Sequence, residues 1–95
     1  MNHPKLDFYR KQLDDLDQQL VSLLAERFKI TDQVGEYKSK HGLSPMDSAR
    51  ENSQIERIRK LADEYALEAK VAQKVLRVVM DEVVKRHKAV QAKHK

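Results

Sequence analysis

The sequence has no cysteine and no tryptophan, and only two glycines and two prolines in 95 residues. Without cysteine there is neither a disulfide framework nor a thiolate metal site. Few turn-forming residues, together with 36% charged and 40% hydrophobic residues, suit amphipathic helices better than a β-sheet. A chain of this length holds a single domain at most, so we expect one all-α domain over residues 1–95.

Long hydrophobic runs are also missing. No segment approaches the roughly 18 apolar residues that a membrane span requires. The start, Met1-Asn2-His3-Pro4, is not followed by the apolar stretch of a signal peptide. These absences predict a soluble cytoplasmic protein with no membrane partner.

The charges are mixed in sign, with 19 basic and 15 acidic residues giving a net charge of +4. Basic residues cluster only near the end, at Lys85, Arg86, Lys88, Lys93 and Lys95. No aromatic side chains alternate with them for base stacking, which favours a solvated tail over a nucleic-acid site. A positive balance also suits an enzyme that acts on a small polyanion.

One clear break interrupts the helical pattern, at residues 41–45 (HGLSP), where glycine can cap a helix and proline cannot continue one. The spacing predicts helices at about 6–40, 48–65 and 68–91. The boundary between the second and third helices carries no glycine or proline. Apolar residues of the first helix recur in alternating steps of three and four, a heptad pattern; they are Leu6, Tyr9, Leu13, Leu16, Leu20, Leu23, Ile30, Val34 and Tyr37.

The length of the first helix predicts a dimer. A helix of about 35 residues is about 50 Å long, whereas a compact globule of this size is about 30 Å across. The two shorter helices cannot cover the whole apolar stripe. A second copy of the chain, packed on the long helix, is the simplest closed solution.

Polar side chains interrupt the apolar stripes at Arg27 and, three turns later, at Lys38. Their Cα atoms would lie about 16 Å apart on nearly the same side of the helix. Arg27 cannot lose its charge, so it either reaches solvent, pairs with a carboxylate or binds an anion. Lys38 either stabilises the last carbonyls of the helix or joins Arg27 around one ligand.

Further polar residues lie at the start of the second helix and on the third. Glu51 completes a candidate capping box with Ser48, which alone would explain it, and Asp47 is the alternative cap. Arg50 suits a solvated position. His87 lies on the apolar stripe of the third helix, one turn after Val83, where a core role is the simpler interpretation.

The common catalytic motifs are absent. The sequence contains no cysteine nucleophile, no glycine-rich phosphate loop and no His-x-x-x-His pair, and its histidines are too scattered to indicate a metal site. Polar residues on apolar helix faces, accompanied by several cations, instead indicate a pocket for an anion inside a helical bundle.

The ordered pattern of Arg10 with segments 13–17 (LDDLD), 23–27 (LLAER), 34–38 (VGEYK) and 47–51 (DSARE) resembles the all-helical class of chorismate mutases over nearly the whole chain. The resemblance implies a domain-swapped homodimer of three-helix chains. It also implies an isomerase that converts chorismate to prephenate in aromatic amino acid biosynthesis, without cofactor or metal.

The resemblance further implies the roles of individual residues. Arg27, and Arg10 from the other chain, would bind the two carboxylates of chorismate. Lys38 would contact one carboxylate and the ether oxygen. Glu51, with backbone near Asp47, would hold the ring hydroxyl.

Around these contacts, Arg50 would support the carboxylate end, and Val34, Met80 and Val84 would form apolar walls. The chain departs from the family pattern at two positions. Val83 replaces a serine that binds a carboxylate, and His87 replaces a glutamine or glutamate that donates to the ether oxygen.

Two other functions remain open from the sequence. An isochorismate-pyruvate lyase shares this fold and similar cations. A non-enzymatic helical adaptor or a basic nucleic-acid binder would leave Arg27 merely solvated. The ring-hydroxyl position at Arg50 and Glu51 favours the mutase.

Overall fold

The computed structural model describes residues 2–94, and within them the chain forms three α-helices and no β-strand. Helix α1 spans Pro4–Lys40, α2 spans Ser48–Glu64 and α3 spans Ala69–Lys93. The all-α class is confirmed, and each helix end lies within two residues of its expected position. Lys95, the last residue of the basic cluster, lies outside the described residues.

Backbone contacts divide the chain into two compact units, Met1–Ile30 and Thr31–Lys95. The second unit contains the last turns of α1 together with α2 and α3, which pack against each other. Its core consists of buried side chains from α2 and α3: Ala62, Leu76, Val79, Met80 and His87. This unit holds most of the candidate site residues.

Helix α1, which carries the first unit, begins with Pro4 at its first helical position. Proline suits this position because its missing N–H would have no helical partner there. The apolar stripe of this unit is exposed: Leu6, Tyr9, Leu13, Leu16, Leu20 and Leu23 retain 42–63% of their accessible surface. Exposed leucines in such a regular row are unfavourable in water and mark a surface suited to burial by a partner. None of the helices in residues 2–94 is both long and apolar enough to cross a membrane.

Helix α2 is capped differently from the expected capping box. Asp47 is the N-cap, and its Oδ1 accepts a hydrogen bond from the backbone N–H of Arg50 at 3.0 Å. Ser48 is already the first helical residue. The capping box of Ser48 with Glu51 is therefore wrong, because Asp47 supplies the acceptor that the exposed helix N–H groups need. The side chain of Glu51 is consequently not used for capping.

Helices α1 and α2 end in the same way. The N–H of Leu43 donates to the carbonyl of Lys38 and that of Leu67 donates to the carbonyl of Ala62, each at 2.8 Å. Both bonds belong to Schellman motifs, which place one residue in the left-handed conformation. That residue is Gly42, with φ +64°, after α1 and Ala66, with φ +56°, after α2.

The two left-handed caps predict opposite effects when glycine and alanine are exchanged. A positive φ costs alanine roughly 1–2 kcal/mol. Glycine avoids this cost but loses part of the gain, because its unfolded chain has more conformational entropy. We therefore expect Ala66→Gly to raise the free energy of unfolding by about 0.5–1 kcal/mol and Gly42→Ala to lower it by a similar amount. A Cβ at Gly42 meets no atom within 4 Å, so the loss there reports backbone conformation alone.

Urea unfolding at a fixed protein concentration measures both variants. A destabilised Ala66→Gly variant would contradict the left-handed cap at the end of α2.

Candidate active site

The last turns of α1 carry Val34 and Lys38. Val34 is 42% exposed, and Lys38 is half-buried. The carbonyl of Lys38 is used by the cap after α1, but its side chain makes no hydrogen bond or ion pair among the described residues. The ammonium group of Lys38 therefore remains able to bind a ligand. Stabilising the end of the helix, the simpler role, would not prevent this.

His87 is a core residue of the second unit and retains only 3% of its accessible surface. Its Nε2 lies 2.7 Å from the carbonyl oxygen of Thr31. Because a carbonyl only accepts, Nε2 carries the hydrogen and donates it. Within residues 2–94, Nδ1 is buried and has no hydrogen-bond partner. A buried nitrogen without a partner is unusual, and in this tautomer Nδ1 is an acceptor that is closed to solvent.

Gly35 makes this position of His87 possible. A Cβ on Gly35 would lie 2.5 Å from Cδ2 and 3.0 Å from Nε2 of His87. The imidazole therefore occupies space that any other residue at position 35 would fill. In the sequence, Gly35 appears only within segment 34–38 (VGEYK), and nothing there indicates a contact with His87. Its structural role is to let the ring approach the α1 backbone.

At the start of α2, Glu51 faces α3. Its Oε1 accepts a hydrogen bond from Nη1 of Arg77 at 3.4 Å, and its side chain is 21% exposed. The same Nη1 lies 3.6 Å from Oδ1 of Asp81. Arg50 is exposed, and its side chain makes no hydrogen bond or ion pair within the described residues. Arg77 was not among the residues expected from the sequence.

The remaining α3 positions are apolar. Met80 is 4% exposed, and Val83 and Val84 are half-buried. Val83 offers no donor, so His87 is the polar residue that α3 contributes among the expected site positions.

The first unit carries the other two expected cations. Arg10 is exposed, and its Nη1 lies 4.0 Å from Oδ1 of Asp7 one turn earlier, an ion pair too open to hold the side chain. Arg27 is half-buried.

Within the second unit, the structure joins Glu51 to Arg77 and His87 to Thr31. In the described part of the chain, no hydrogen bond or ion pair links Lys38, Glu51 and His87 to one another. In the same part of the chain, no three His, Cys, Asp or Glu side chains lie close enough together to hold a metal ion.

Comparison with known proteins gives the family. The model of the family "Chorismate mutase type II" matches residues 9–88. The chain is 31% identical over 77 residues to a chorismate mutase of Methanocaldococcus jannaschii, covering 81% of this chain and 78% of that protein. The chain therefore belongs to the type II chorismate mutase family, a family of isomerases, which confirms the resemblance drawn from the sequence.

Two further relatives are much longer than this chain. They are the T-proteins of Enterobacter agglomerans, 37% identical over 78 residues, and Haemophilus influenzae, 34% identical over 73 residues. The alignments cover 82% and 77% of this chain but 21% and 19% of those proteins. The chain thus spans about a fifth of the length of each T-protein.

The contact between Gly35 and His87 predicts a coupling between the two positions. Gly35→Ala should lower the free energy of unfolding by about 1–3 kcal/mol, because overpacking outweighs the better helix propensity of alanine. In a His87→Ala background the clash is absent, and the same change should stabilise the protein by up to about 1 kcal/mol. A double-mutant cycle by urea unfolding measures this reversal. Equal effects in both backgrounds would exclude the close contact.

Proposed function

We propose that this chain converts chorismate to prephenate at a site lined by Arg10, Arg27, Lys38, Arg50, Glu51 and His87. The observation that carries the proposal is the family match, which spans every one of these residues. The structure adds that Glu51 is not used for capping and that Lys38 has no ion-pair partner in residues 2–94. Both side chains therefore remain able to bind a ligand.

The chemistry suits such a site. The rearrangement is pericyclic, so it needs no nucleophile and no proton transfer. Its first demand is positional, since the flexible substrate must be held in a compact, chair-like shape. Its second demand is electrostatic, because negative charge develops on the ether oxygen as the C–O bond breaks. Fixed cations beside a small dicarboxylate meet both demands.

By family resemblance, we assign the two carboxylates to Arg27 and to Arg10 of a second chain, with Lys38 on one carboxylate and the ether oxygen. Glu51 and the backbone near Asp47 would hold the ring hydroxyl. The supporting positions are Arg50 at the carboxylate end and the apolar walls Val34, Met80, Val83 and Val84.

His87 occupies the position from which the family donates a second hydrogen bond to the ether oxygen. In this structure the hydrogen on Nε2 is used by Thr31. His87 therefore donates to substrate only if the ring leaves Thr31, because Nδ1 of this tautomer is a buried acceptor.

We further propose that the protein works as a homodimer formed along α1. The exposed apolar stripe of the first unit supports this, because a second copy would remove its leucines from water. Arg10 and Arg27 lie seventeen residues apart on one helix, about 25 Å. That distance is too long for one small ligand, so Arg10 would act in the site of the partner.

The first test of function is the turnover of chorismate and the effect of Lys38→Ala. Wild-type protein should consume chorismate, which is followed by absorbance, and product analysis should identify prephenate. The same analysis with isochorismate as substrate tests the competing lyase function. Lys38→Ala should lower kcat/KM by about 10²-fold or more, mainly through kcat, because its contact with the ether oxygen strengthens only in the transition state. Lys40→Ala, in the same last turn, is the matched control and should remain active. An effect of Lys38→Ala on KM alone would contradict the assigned role.

The second test concerns the shared site. Arg10→Ala and Lys38→Ala should each be inactive alone. After subunit exchange, each heterodimer should have one intact site and one site with both defects, recovering about half the activity of a wild-type dimer. Mixing Arg27→Ala with Lys38→Ala is the control and should recover nothing, because each site then keeps one defect.

Sedimentation should show about twice the 11.1 kDa chain mass before and after exchange. Exchange shown by mass without recovered activity would refute the contribution of Arg10 from the partner.

A further inference from the structure

The ion pair between Arg77 and Glu51 is a contact between α3 and the start of α2 that the proposed function does not use. Arg77 is 48% exposed and Glu51 is 21% exposed at their side chains. An ion pair this open contributes little to stability. It does favour one orientation of the Glu51 carboxylate, because the contact of Nη1 at 3.4 Å draws Oε1 towards α3.

The cap of α2 leaves the side chain of Glu51 uninvolved at the helix N-terminus. Asp47 bonds the N–H of Arg50, and the N–H of Glu51 donates to the carbonyl of Asp47 at 3.0 Å within the helix. The Glu51 side chain is therefore not needed by the backbone, and Arg77 is its hydrogen-bond partner in residues 2–94. Only Oε1 is engaged, which leaves Oε2 able to accept a hydrogen bond from a ligand hydroxyl.

We propose that Arg77 is a positioning residue, which fixes the carboxylate of Glu51 so that its second oxygen binds the ring hydroxyl of the substrate. This inference rests on the proposed function, which assigns that hydroxyl to Glu51. Arg77 itself does not touch substrate. Oδ1 of Asp81 lies 3.6 Å from the same guanidinium nitrogen, so its charge also attracts Arg77.

The substitution Arg77→Met keeps the aliphatic stem and removes the guanidinium. The hydroxyl is remote from the bonds that change, so its contact has similar strength in the ground state and the transition state. KM for chorismate should therefore rise by about 5- to 20-fold while kcat stays within about threefold. The thermal midpoint should move by no more than about 2 °C. Arg77→Lys should recover part of the loss in KM, because it restores the charge without the planar geometry.

Two matched variants distinguish the positioning of Glu51 from a general loosening of the contact between α2 and α3. Arg59 on α2 donates from Nη1 to Oε1 of Gln73 on α3 at 2.9 Å, a comparable contact between the same helices away from Glu51. Arg59→Met should leave KM unchanged. Asp81→Asn removes the second carboxylate near Arg77 and should leave KM unchanged or lower.

The deciding measurement is a double-mutant cycle with Glu51→Ala. If Arg77 acts through Glu51, Arg77→Met should raise KM in wild type and have no further effect in the Glu51→Ala protein. An unchanged KM for Arg77→Met in an active mutase would overturn this inference and leave the proposed function intact. Additive effects in the cycle, or an equal effect of Arg59→Met, would also overturn it. Absence of mutase activity in wild-type protein would instead refute the proposed function.

Discussion

The packing of His87 against Gly35 determines how the end of α1 meets α3. The imidazole fills the space of a missing Cβ and donates to the carbonyl of Thr31 at 2.7 Å. One face of α1 is thereby joined to α3 by a hydrogen bond and a close contact. Lys38 lies one turn beyond Gly35 on the same face, so its place in the second unit depends on this contact.

A second constraint acts at the other end of the site. Asp47 caps α2 and leaves the carboxylate of Glu51 to meet Arg77. Had Ser48 and Glu51 formed a capping box, the carboxylate would have turned back towards the helix N-terminus. The choice of cap therefore decides whether the carboxylate of Glu51 bonds the helix N-terminus or pairs with Arg77. A difference of one residue in helix start is sufficient to change its partner.

The helices were predictable from sequence because their signals are local. Heptad spacing, the break at Gly42 and the apolar face of α3 each lie within a short window. The end of α2 was hard to place because Ala66 takes the left-handed conformation that Gly42 takes after α1. The partners of Glu51 and His87 were not predictable, since a sequence alone does not give the alignment of α2 with α3 or of α3 with α1. An arginine such as Arg77 looks like any solvated charge until that alignment is known.

Val83 and His87, the two α3 positions that depart from the family pattern, leave the proposed charge stabilisation mainly to α1. Val83 has no hydrogen-bond donor, and the Nε2–H of His87 is held by Thr31. On the proposed assignment, α3 therefore offers no donor to the substrate carboxylate at Val83, and none to the ether oxygen while the Nε2–H of His87 is held by Thr31. Charge that develops on that oxygen is then stabilised chiefly by Lys38, whose ammonium has no ion-pair partner in residues 2–94. A point charge with three donors suits this task, because it stabilises an oxyanion without a fixed direction of approach.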